Sequence, residues 1–292
     1  MKGIRRIGAA VAAAALSMGN AMAIDLDALW DFRSPAVSEQ RFREAMLSAT
    51  PDKQLILQTQ IARTHGLRKD FARAGAVLAE MATRQASGSA EARTRWQLEM
   101  GRVYASATHP KSALTPAAVE TARGHYLRAF EIAQQARLDA LAIDALHMMA
   151  VVDSEPAKQL AWNERAIALM EQSDQPEAKK WEGSLRNNTG YAYHLAGRYE
   201  DALRQFRLSR AAHERAGRTR AVRIADWMIA WTFRAQGRLQ EALAMQLQLE
   251  KAWDDAGQPD PHVYEELELL YRALGDSEKA AHYGRRVAET KR

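Results

Sequence analysis

Residues 189–206, TGYAYHLAGRYEDALRQF, set small and large side chains at intervals that suit two helices joined by a tight turn. Gly190 and Ala202 are small enough for helices to approach closely, and Tyr193, Tyr199 and Phe206 fill the space beside them. Gly197 can take the left-handed conformation that ends a helix. From Tyr199 onward, apolar residues fall at i, i+3, i+4 and i+7 (Tyr199, Ala202, Leu203, Phe206), which places them on one helical face. The intervals recur. Phe233, Gly237, Leu239 and Ala242 repeat them 40 residues on, and Tyr271, Gly275 and Ala280 another 38 residues on. Upstream, Ala62, His65, Phe71, Ala74, Leu78 and Met81 fit the same template. Gly101 and Tyr104 fit it too, with Ala122, Tyr126 and Ala129 following after an insertion of about nine residues. A weaker copy spans Leu141 to Met170, with Ser154 and Pro156 in place of the usual turn residues. A period of this size means stacked hairpins, because one hairpin cannot bury both of its faces.

The expected fold is therefore an all-α solenoid of about six antiparallel helix hairpins, near residues 52–85, 93–137, 139–173, 182–217, 221–256 and 261–292. Thr50-Pro51 and Thr115-Pro116 read as helix starts, with proline at the first helical position. Ser34-Pro35 opens an N-terminal capping helix within residues 24–50, and Trp30 and Phe32 before it are expected to cover the end of the first hairpin. RQASGSAEAR reads as a flexible joint and SATHPKSALT as a loop inside the second hairpin. The polar last helix, with Lys279, His282, Arg285, Arg286 and Glu289, suits a terminal cap.

The first 23 residues read as a cleaved signal peptide. Lys2, Arg5 and Arg6 precede an apolar run from Ile7 to Leu16, and Ala21-Met22-Ala23 has the small-x-small form of a cleavage site. The run is too short for a membrane anchor, which needs roughly 20 apolar residues. Cysteine is absent, which excludes disulfides, thiolate metal sites, thiol catalysis and a lipidated cysteine. The expected address is the periplasm of a Gram-negative bacterium, with cleavage after Ala23; secretion is the alternative. Three positive charges of the net +5 lie in that leader, so the remainder is close to neutral and no nucleic-acid partner is expected.

The hairpins resemble the tetratricopeptide repeat (TPR) family. The repeat from near Gly183 carries the resemblance best, through Gly190, Tyr193, Gly197, Tyr199, Ala202 and Phe206, and the likeness covers nearly all of residues 52–292. It implies a right-handed superhelix whose concave groove is lined by the first helix of each hairpin. On that template the groove residues are Asn187, Tyr191 and His194 in the fourth hairpin, and Trp227, Trp231 and Arg234 in the fifth. In the sixth they are Glu265, Leu269 and Arg272, and in the first two Arg63 and Arg102. Aromatic residues with arginine are the composition of a binding hot spot. The two tryptophans equally suit packing against the neighbouring hairpin, since the helical period alone leaves their rotation open. The family's carboxylate clamp is not supported, because Asp144, Met148, Asn187 and Tyr191 stand at its Lys and Asn positions.

No catalytic motif competes. HERAG at His213 lacks the second histidine of a helical zinc site, and there is no nucleophile elbow or phosphate loop. Neither a cofactor nor a metal is expected. Arg204, Arg207 and Arg210 recur every third position as a basic ridge for an acidic surface or lipid headgroups, or simply as a solvated outer face. The sequence therefore points to a scaffold without catalysis, binding a protein or extended peptide in its groove. The alternatives are a homotypic or envelope-machinery assembly factor, which would make the chain a homo-oligomer, and, last, an envelope enzyme with a site shared between repeats.

Overall fold

The computed structural model describes residues 24–290, so the expected signal peptide lies outside the described residues. Among the described residues all regular structure is helical. A short helix α1 (Leu26–Leu29) and a longer α2 (Pro35–Met46) precede the hairpins. Six helix pairs follow. They are α3 (Pro51–Leu67) with α4 (Phe71–Glu80), continued by a turn of helix α5 (Ala82–Gln85); α6 (Ala90–Tyr104) with α7 (Pro116–Gln135); and α8 (Asp139–Val152) with α9 (Pro156–Gln172). A short α10 (Pro176–Lys179) leads to α11 (Glu182–Leu195) with α12 (Tyr199–Arg215). The last pairs are α13 (Thr219–Ala235) with α14 (Leu239–Asp255), and α15 (Pro261–Ala273) with α16 (Ser277–Thr290). Consecutive helices pack on each other, and α2 covers α3 as the N-terminal cap. The chain is an all-α solenoid. No described helix is long and apolar enough to cross a membrane.

The recurring intervals are packing intervals. A Cβ added at Gly190 would lie 2.6 Å from the Phe206 ring, and one at Gly101 would lie 2.4 Å from the Tyr126 ring. The nine-residue insertion makes the second pair wider in sequence, yet the contact is the same. Ala62 with Leu78 occupies the equivalent positions in the first hairpin, and both are buried. The fifth hairpin departs from the pattern. Gln246 stands where Phe206 would, fully buried, with neither end of its amide hydrogen-bonded.

The turns are equally regular. Gly197 has φ +73°, Arg198 N–H donates to the Tyr193 carbonyl, and Gly197 N–H donates to that of His194, a Schellman closure. The turn of the first hairpin and the link between the second and third hairpins make the same closure with Lys69 (φ 64°) and Arg137 (φ 55°), residues that pay a steric cost for it.

Some expectations need correcting and others gain detail. RQASGSAEAR is no loose joint: Ser89 N–H donates to Asp52 Oδ1 at 2.7 Å, and the Ser89 hydroxyl caps α6. The SATHPKSALT loop is pinned by His109, which stacks on Phe71 with centroids 3.7 Å apart. Of the three expected caps, only Thr115 bonds a helix N–H through its side chain. Arg286 turns inward from the last helix to Glu250 (2.6 Å) and over the Tyr264 ring (4.0 Å). Trp30 does cover the first hairpin, edge-on to Phe42, while Phe32 remains largely exposed.

Candidate functional site

The first helices form a row, in which α3, α6 and α8 touch at one end and α11, α13 and α15 at the other. Every groove residue expected from the sequence lies on this row, and the two ends differ in chemistry.

At the α3–α6–α8 end the expected arginines meet carboxylates. Arg102 donates to Glu99 and to Asp144, both at 2.5 Å, and Arg63 lies 3.5 Å from Glu99 and 3.8 Å from Asp144. Glu99 and Asp144 are buried. Burial alone would lift the Asp144 carboxyl, but Arg102 and Arg63 hold it below the usual range. Burial also opposes the Arg102 charge, and Asp144 and Glu99 more than offset that. Arg63 is lowered by burial and then by Arg102. Two cations and two anions thus close on themselves across three helices. Glu99 went unnoticed in the sequence, and Asp144 was seen only as a departure from the clamp pattern. Both carboxylates face both arginines. His147, one turn after Asp144, accepts at Nδ1 from Asn188 Nδ2–H (3.2 Å) and tilts against Trp181.

At the α11–α13–α15 end the expected aromatics stack. Trp231 lies between three rings: Tyr191 (5.8 Å, 18°), Trp227 (5.8 Å, 20°) and His194 (3.3 Å, 14°). Trp227 Nε1–H donates to the His262 carbonyl at 3.2 Å. The tryptophans therefore do both things the sequence left open: they pack against the neighbouring hairpins and they lie on the row. Their faces stack on neighbouring rings, and both tryptophans stay partly exposed. On the same three helices Tyr191, itself in the stack, and Leu195, Ile224 and Leu269 are exposed large apolar side chains. Asn187, one turn before Tyr191, is half-buried, with its Oδ1 unpaired.

His194 is a packing residue. The Thr232 hydroxyl donates to the Met228 carbonyl (2.8 Å), which leaves His194 Nδ1–H to donate to that hydroxyl at 2.9 Å. Burial, and then the Arg234 charge, push its pKa down to about 4, so it is neutral near pH 7. Arg234 grips Glu266 through two bonds of 2.6 and 2.8 Å. Arg272 is exposed and pairs with Glu268 one turn back, and Glu265 is within 3.1 Å of His262. His194 and Arg272 are thus engaged with different neighbours, and an acid–base group built from them with Glu265 has no support.

The basic ridge is broken. Arg204 and Arg207 are exposed, with Arg204 paired to Asp201. Arg210 turns into the α12–α13 interface, 2.6 Å from Asp226 and 2.7 Å from Glu214. Arg215 reaches Glu182, and Arg223 lies over the Trp253 ring. Asp201 and Glu214 lie on α12 itself, while Asp226 and Glu182 come from other helices, which spacing along α12 could not reveal. His213 of the HERAG stretch is buried against Gly183, where a Cβ would lie 2.4 Å from its ring. No group of three or more histidines and carboxylates among the described residues could hold a metal.

No protein-family model matches the chain, and no curated protein matches it significantly. Among solved structures it is similar to a STAND-class signal-transduction ATPase with a tetratricopeptide repeat sensor from Pyrococcus horikoshii. The TM-score is 0.63 at 10% identity, over 88% of this chain and 39% of that one. This chain therefore spans about two-fifths of that protein's length, and the likeness is one of fold: a TPR-like helical repeat. A weaker match, BtubC from P. vanneervenii, has a TM-score of 0.42 at 13% identity over 92% of each chain.

Proposed function

We propose that this chain is an exported, periplasmic TPR-like scaffold that docks a protein or extended peptide along its first helices and performs no catalysis of its own. The observation that carries the reading is the set of exposed apolar side chains, Tyr191, Leu195, Ile224 and Leu269, on the three helices that build the aromatic stack. Large apolar side chains gathered on one surface mark interaction sites. Here the stack is already ordered by its own contacts, so little side-chain freedom is lost on docking. The similarity to a TPR sensor supports the same class of role.

The test is affinity capture from periplasmic extract with the native chain beside a Tyr191→Ser, Leu195→Ser variant. Both side chains are exposed, so the variant should keep its circular dichroism spectrum. A partner retained by the native chain and lost by the folded variant supports the reading. A hydrolytic or transfer activity abolished by one substitution on the row would defeat it.

A further inference from the structure

The N-terminal segment does more than cap the first hairpin. Its Asp27 carboxylate accepts from Lys180 Nζ at 2.9 Å, a contact between residues 153 apart in sequence. Trp30 Nε1–H donates to Gln60 Oε1 at 3.1 Å on α3. Leu26, Leu29 and Trp30 rest on Phe42, Leu57 and Ile61. Asp25 caps the turn by accepting from Ala28 N–H. Behind it, Ser38 is fully buried and bonds both the N–H and the carbonyl of Asp31. The segment is thus tied at Asp31 and lies as one acidic, apolar helical turn against the α3–α6–α8 end of the row.

Its hold is light. α1 has no buried residue, and the Asp27–Lys180 pair is exposed, a kind of contact that contributes little. The seat is also larger than its occupant. A cleft of about 500 Å³ remains beside the segment, walled by α3, α6, α8, α10 and α11, where Arg63, Arg95, Lys180 and Arg218 stand beside Glu91, Asp144 and Glu177.

We propose that this segment is an intramolecular stand-in for a partner peptide of the same chemistry. That peptide would be a short acidic helical turn carrying leucine and tryptophan, which displaces residues 24–30 and extends into the open cleft. The site is separate from the aromatic stack on α11–α15, and neither proposal depends on the other.

The probe is a labelled synthetic peptide of residues 24–33, titrated into full-length chains. Four are compared: wild type, Asp27→Lys, Asp27→Lys with Trp30→Ala, and that pair with Lys180→Glu. Asp27 is exposed, so Asp27→Lys keeps the fold and repels Lys180; circular dichroism checks the others. Release of the segment removes a competitor, so the double variant should bind at least about tenfold more tightly than wild type, with Asp27→Lys in between. Adding Lys180→Glu should take most of that gain away. Equal binding to wild-type and double-variant chains, or saturable binding to neither, overturns the proposal. None of these variants touches the aromatic stack, so either site can fail while the other stands.

Discussion

The two ends of the row of first helices use one scaffold for opposite ends of the polarity scale. The α3–α6–α8 end closes with four charges that satisfy each other, and the α11–α13–α15 end closes with stacked rings. A charge network tolerates little loss, because removing one member leaves a buried charge uncompensated. A partly exposed stack loses contact area and little else. The lesson is that position on a repeat template fixes where a side chain sits, while its role depends on which residues the neighbouring hairpins supply.

The largest expected effect breaks the charged end. Asp144→Ala leaves Arg102 and Arg63 with Glu99 alone, an uncompensated buried charge, and should cost about 3–5 kcal/mol in denaturant unfolding. Trp231→Ala, at the half-buried stack, should cost less, about 2 kcal/mol, roughly half the range for fully buried tryptophan. Equal losses would erase the contrast between the two ends. Gln246→Leu replaces a buried amide whose polar atoms are both unpaired. It should raise stability by about 1–3 kcal/mol, the cost of an unsatisfied buried group, and a loss would show that the amide has a partner.

The smallest effect sharpens the comparison through pH. His194 is neutral in the fold down to about pH 4, whereas an unfolded histidine takes up its proton near 6.5. The unfolded state therefore binds more protons between those values, and stability must fall as pH drops from 6.5 towards 4. His65, His125, His147 and His213 are lowered in the same direction, first by burial. Trp231→Ala opens His194 to water, so melting temperatures of that variant should fall less steeply over this range than those of wild type.

The hairpins were legible in the sequence because their determinants are local. A glycine facing a ring, and a glycine or its substitute in the left-handed turn, recur at spacings that helix geometry dictates. The partners of the arginines were not legible, since Arg102 finds Asp144 42 residues away, on another hairpin. Arg210 likewise leaves its ridge for Asp226. Trp227 and Trp231 could be placed on one helical face, but the rings that cover them come from α11 and α15. The reach of Asp27 to Lys180 had no local signal at all.

The central functional claim is that docking occurs on the row of first helices and not on the outer ridge. Photo-crosslinking in living cells tests it most directly, with a photoreactive amino acid placed in turn at Tyr191, at Leu195 and, on the outer face, at Arg207. Adducts with another protein at positions 191 and 195, and none at 207, are the expected result. Adducts from 207 alone would contradict it and move recognition to the arginine face.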